Sequence, residues 1–156
     1  MLLGRQGMTI DNDVYVRFLG NRPHQGTSGA AAYDLIATVP EDFPVIIAPG
    51  RWRVIPTGTS VEIPQGHAGL ILPRSGLAAK HGITVLNSPG LIDSDYRGEI
   101  GVILHNVNRI DDFIVTNGMR IAQFMVIGIP NLVLVAGQQL SDTVRGAGGF
   151  GSTGTQ

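Results

Sequence analysis

Short runs of β-branched and aromatic residues, most of them bounded by glycine or proline, dominate the hydrophobic pattern of this chain. The first, VYVRFL at residues 14–19, alternates apolar and polar positions until Asn21, Pro23, Gly26 and Gly29 interrupt it. A period of two predicts a strand and then a loop. Further strands are expected at residues 30–37, 44–48, 52–56, 59–63 and 68–72. Beyond them the pattern predicts strands at residues 83–86, 99–106, 113–115, 120–129 and 132–135. Only residues 75–81 read as helix: Ser75 can cap, Leu77 to Lys80 are good helix formers, and Gly82 stands where a left-handed stop belongs. An all-β chain with one short helix follows, and 22 glycines and 9 prolines spread among short strands suit a sandwich, jelly roll or barrel.

From Gln138 onward the periodicity fades into SDTVRGAGGFGSTGTQ, which has too few apolar residues for a core of its own. Residues 1–137 therefore read as one β domain and residues 138–156 as a flexible, glycine-rich C-terminal arm. Arg145 is the only cation of that arm and Phe150 its only ring, set among glycines that let a backbone approach a ligand closely.

Composition narrows the function. A formal net charge of -1, with no cluster among the 11 basic residues, argues against gripping nucleic acid or an anionic membrane. Arginine outnumbers lysine, present only as Lys80, which favours bidentate phosphate contacts. The absence of cysteine excludes disulfides, thiolate zinc sites and cysteine nucleophiles. His24, His67, His81 and His105 show no metal-ligand spacing. The opening residues lack a signal-peptide pattern and no run of apolar residues is long enough to span a bilayer, so a soluble, cytoplasmic protein is expected.

Two further stretches concentrate chemistry. NSPGLIDSDYRGE at residues 87–99 puts an amide, carboxylates, a phenol and a guanidinium between breakers, as at the tip of a β-hairpin. PRSGL at residues 73–77 places Arg74 and Ser75 ahead of the short helix, where backbone amides and the helix dipole favour an anion. With the arm's glycines, hydroxyls and ring, the ligand resembles a nucleotide, and Asp34 could reach its metal through water.

Along nearly its whole length the chain resembles the homotrimeric dUTPase family, the deoxyuridine triphosphate nucleotidohydrolases. The motifs, in family order, are AYDL at residues 32–35, PRSGLAAKHGI at 73–83, NSPGLIDSDYRGEI at 87–100, GMRIAQF at 118–124 and RGAGGFGSTG at 145–154. The second, third and fifth together are highly specific. The chain departs from the family's usual pattern at Ala32, where glycine is usual, and at Met119, where an acid is common.

The resemblance implies a distorted jelly-roll or β-barrel fold, a homotrimer with shared active sites, and Mg²⁺-assisted hydrolysis of dUTP to dUMP and pyrophosphate. It makes Asp93 the general base and Arg74, Ser75, Gly76 and Gln123 phosphate contacts. Asn87 would read uracil, Leu91, Ile92 and Gly101 would offer backbone around the pyrimidine, and Tyr96 would pack under the deoxyribose. Asp34 would hold a Mg²⁺-bound water, with the ion held mainly by substrate phosphates. From the arm, Arg145 would engage the terminal phosphates, Phe150 would cover uracil, and Gly151, Ser152 and Thr153 would close around the triphosphate. The alternatives are a dCTP deaminase-like enzyme of the same fold and a nucleotide-sensing module that contacts a regulator.

Overall fold

A computed structural model describes residues 13–149. Its strands are β1 (Arg17–Gly20), β2 (His24–Gln25), β3 (Tyr33–Ile36), β4 (Val45–Ile47), β5 (Trp52–Glu62) and β6 (His67–Pro73). After the helix α1 (Ser75–His81) come β7 (Ile83–Val85), β8 (Gly90–Ile92), β9 (Glu99–Asn106), β10 (Phe113–Val115) and β11 (Arg120–Gly128).

One sheet has the order β1-β5-β9-β7 and another the order β2-β3-β11-β6-β8, while β10 pairs with β4. Every pairing is antiparallel. Alternation explains the core between them. β9 turns Ile100, Val102, Leu104 and Asn106 inward, and β5 does the same with Ile55, Thr57, Thr59 and Val61. Leu35 and Ile121 from the larger sheet meet them, each 1% exposed. The inward polar groups are satisfied: Thr57 Oγ1 donates to the Ile100 carbonyl at 2.7 Å, and Asn106 Nδ2 donates to the carbonyls of Ile47 and Asp111 at 2.9 Å.

Several expectations change. The strands predicted at 52–56 and 59–63 are one continuous strand, because a register shift between Pro56 and Ser60, with Gly58 at φ +62°, carries β5 through the break. The segment 132–135 forms no strand; its four apolar side chains are 72–87% exposed and find no sheet edge. Residues 87–99 are not a hairpin either, since β8 pairs with β6 and β9 pairs with β5 and β7, in different sheets. The segment arches from one sheet to the other. α1 has the expected bounds and ends on Gly82 at φ 66°, but Arg74 is its N-cap and no side chain caps it. Ser75 is the first helical residue instead.

Candidate active site

Arg74 leaves the end of β6 beside β3 and β11, and its guanidinium is fixed there. Its Nε donates to Asp34 Oδ1 at 3.0 Å and its Nη1 to the Arg120 carbonyl at 3.0 Å. Arg120 in turn pairs with Asp34 Oδ2 at 3.1 Å. Asp34 is thus a buried carboxylate, 6% exposed, with both oxygens in charge-assisted hydrogen bonds. Two cations on one anion leave a local excess of positive charge, suited to phosphate. An open cleft of about 600 Å³ lies alongside, lined by Arg74, Leu77, His81, Met119 and Arg120 and by one further carboxylate, Asp112.

The sequence pointed to Asp34 and Arg74 separately but not to their contact, and Arg120 had no assigned role. Register supplies both. Gln123 on β11 sits opposite Asp34 on β3 and Leu72 on β6, so its half-buried side chain shares their face. Met119, where the family often has an acid, packs against the core instead. Ser75 and Gly76 are exposed at the helix start, among amides that have no intrahelical acceptor.

The arch from β8 to β9 carries the other candidates. Asn87 is exposed and its amide lies against Gly90, where an added Cβ would stand 3.3 Å from Nδ2. Leu91 is exposed and Ile92 half-buried on an edge strand. Asp93 follows, exposed, in a cleft of about 710 Å³ lined also by Glu62, Gln65, His67, Asp95 and Arg97. The Tyr96 amide donates to the Asp93 carbonyl at 3.2 Å and closes a turn. Tyr96 Oη donates to the Glu99 carbonyl at 2.9 Å, and its ring lies over Gly98 so closely that an added Cβ would collide with it. Glu99 Oε1 accepts the Gly58 amide at 2.7 Å and so ties the end of the arch to β5. Gly101, on β9, faces Pro56 with an added Cβ 2.9 Å from Val54.

One chain keeps these two groups apart. Ile92 pairs with Gly69 near the start of β6, whereas Arg74 follows its end. At about 3.3 Å per residue, Asp93 and Arg74 are separated by roughly 20 Å along the strand. The two clefts share no lining residue.

Arg145 is exposed and donates from Nε to the Gly148 carbonyl at 2.8 Å within a local turn. Phe150, Gly151, Ser152 and Thr153 lie outside the described residues.

Asp34 tests whether the site suits Mg²⁺. An ionised carboxylate has about four lone-pair positions, so one that accepts two arginine bonds can still receive a metal-bound water. Among the described residues no group of three or more His, Asp or Glu side chains converges on a point. The donor set fits an ion whose direct ligands are phosphate oxygens and water.

The family model for dUTPase matches residues 20–154. This chain belongs to the dUTPase family. It is 54% identical over 132 residues to the deoxyuridine 5'-triphosphate nucleotidohydrolase of Sinorhizobium medicae, covering 85% of this chain and 82% of that protein. The protein of the same description from Rhizobium meliloti is 53% identical over 134 residues, 86% of this chain and 83% of the other. Among solved structures, the dUTPase of Staphylococcus bacteriophage 80alpha with dUPNHPP superposes with a TM-score of 0.79 at 25% identity, covering 92% of this chain and 99% of that one. The jelly-roll-like β fold expected of the family is the fold observed. No helix among the described residues is long and apolar enough to cross a membrane.

Proposed function

We propose that this member of the dUTPase family is a dUTP diphosphatase, a hydrolase of nucleotide metabolism that converts dUTP and water to dUMP and pyrophosphate. The observation that carries this is the family match across residues 20–154, a span that contains the sequence motifs on which the expected roles rest. The reaction, in the cytoplasm, removes dUTP and so keeps uracil out of DNA, and its product dUMP serves dTMP synthesis.

Asp93 accepts a proton from water as the water oxygen attacks the α-phosphorus. The bond from that phosphorus to the bridging oxygen breaks, and pyrophosphate leaves with the electron pair. Arg74, Ser75, Gly76 and Gln123 bind phosphate oxygens, with Arg74 oriented by Asp34 and by the Arg120 carbonyl. Asp34 would hold a water of a Mg²⁺ ion whose other ligands are phosphate oxygens, and the ion would supply charge neutralisation there.

Uracil presents an N3 donor between two carbonyl acceptors, so backbone at Leu91, Ile92 and Gly101 and the Asn87 amide can read it. Cytosine would leave buried groups unpaired, at about 1–3 kcal/mol each. Tyr96, seated on Gly98, closes the space a 2′-hydroxyl would need. The exposed positions of Asn87, Leu91 and Asp93 leave the site open on one side. The arm closes it: Arg145 on the terminal phosphates, Phe150 over uracil, and Gly151, Ser152 and Thr153 around the triphosphate.

The separation of Asp93 from Arg74 supports a homotrimer with shared sites. A base acting on the α-phosphorus and an arginine on the same triphosphate must lie within one ligand's length, so each comes from a different subunit. Pyrophosphate release across dUTP, dCTP, dTTP and UTP tests base, sugar and reaction together. Turnover of dUTP alone is expected; ammonia release from dCTP, or binding without turnover, would sink the proposal.

A further inference from the structure

Arg97 has no part in the roles above, yet its guanidinium wraps the turn that carries Asp93 and Tyr96. Nη1 donates to the Ser94 carbonyl at 2.7 Å and to the Tyr96 carbonyl at 2.9 Å. Nη2 lies 3.9 Å from Glu62 Oε1 at the end of β5, and Glu62 Oε2 is 3.4 Å from Arg17. The arch needs such support. β8 and β9 lie in different sheets, so no ladder spans residues 93–98, and the turn's own closure is the single 3.2 Å bond from the Tyr96 amide to the Asp93 carbonyl. Glu99 fastens one end of the arch to Gly58 on β5, while Arg97 bridges two carbonyls of the turn and turns its second nitrogen toward Glu62 on the same strand.

A plain surface ion pair does not account for this arrangement. Arg97 and Glu62 side chains are 53% and 46% exposed, and an exposed pair at that distance contributes little. The two carbonyl bonds are short, charge-assisted and aimed at the residues on either side of Asp95. Both carbonyls are held by one nitrogen, which an ammonium could also do, but only the planar fork brings a second nitrogen toward the Glu62 carboxylate at the same time.

We infer that Arg97 is a positioning residue: by holding the carbonyls of Ser94 and Tyr96 and bearing on Glu62, it sets the aim of the Asp93 carboxylate and the seat of the Tyr96 ring. This rests on the roles proposed above for Asp93 and Tyr96. The full chain carrying Arg97→Ala, Arg97→Lys or Glu62→Gln tests it by two measurements. In hydrogen–deuterium exchange of the free protein, Arg97→Ala speeds exchange within residues 93–99 and leaves the sheets unchanged. In steady-state kinetics kcat for dUTP falls on the order of tenfold, as small misplacements of a reacting group do, with KM less affected and the preference for dUTP over UTP narrowed. Arg97→Lys falls between Arg97→Ala and the parent, and Glu62→Gln is milder. Exchange and kcat indistinguishable from the parent in Arg97→Ala overturn the inference, as does faster exchange spread evenly over the whole fold. A parent inactive on dUTP overturns the proposed function and the catalytic half of this inference, while the exchange result still decides whether Arg97 holds the turn.

Discussion

Asp34 and Asp93 are both carboxylates in family motifs, and their surroundings set them to different work. Asp34 is enclosed by the guanidinium groups of Arg74 and Arg120, and its charge orients both. Asp93 is exposed, and no ion pair among the described residues engages it, which suits the general-base role proposed for it. Asp93→Asn keeps the shape and removes the basicity. Turnover of dUTP is expected to fall by about 10² or more with binding nearly intact, as for loss of a general base, measured by single-turnover hydrolysis beside equilibrium binding. Unchanged turnover would remove Asp93 from the mechanism. Both carboxylates were legible as residue types in motifs; that one is clasped by two arginines was not, because Asp34 and Arg120 lie 86 positions apart and only the β3–β11 register brings them together.

At the scale of elements, the arch from β8 to β9 depends on one small residue. Gly98 leaves room for the Tyr96 ring, and the ring's hydroxyl is held by the Glu99 carbonyl. Gly98→Ala puts a methyl where the ring lies and drives it off its seat. The expected result is a loss of discrimination between dUTP and UTP on the order of tenfold, read from the two kcat/KM values. A preference equal to the parent's would mean that Tyr96 does not check the sugar. Elements with strong local signals were legible to the residue: α1, β9 and β10 have their expected bounds because caps, breakers and alternation act over neighbouring positions. The arch was misread as a hairpin for the converse reason. Breakers show that the chain turns, but which strand each side pairs with depends on residues far away.

At the scale of the molecule, apolar surface remains uncovered after the chain has folded. Leu132, Val133, Leu134 and Val135 are 72–87% exposed, and Trp52 and Val54 on the outer face of β5 are 52% and 56% exposed. Such surface is costly to leave in water and fits association with other copies. Truncation before Arg145 removes the proposed closing arm and leaves these surfaces in place. The truncated protein is expected to sediment as a trimer and to hydrolyse dUTP poorly; full activity would show that the arm closes nothing.

What the sequence determined by itself was chemical and local: the strand-rich class, the helix and its glycine stop, and the motif residues that carry the family. These depend on period, composition and spacing, which are properties of neighbours along the chain. The tertiary structure alone decided which charges meet and which stay apart. It placed Asp34 between two arginines, turned the expected hairpin into an arch between sheets, and set Asp93 and Arg74 at opposite ends of β6. Sheet register causes all of these, and register is settled by the packing of the whole core.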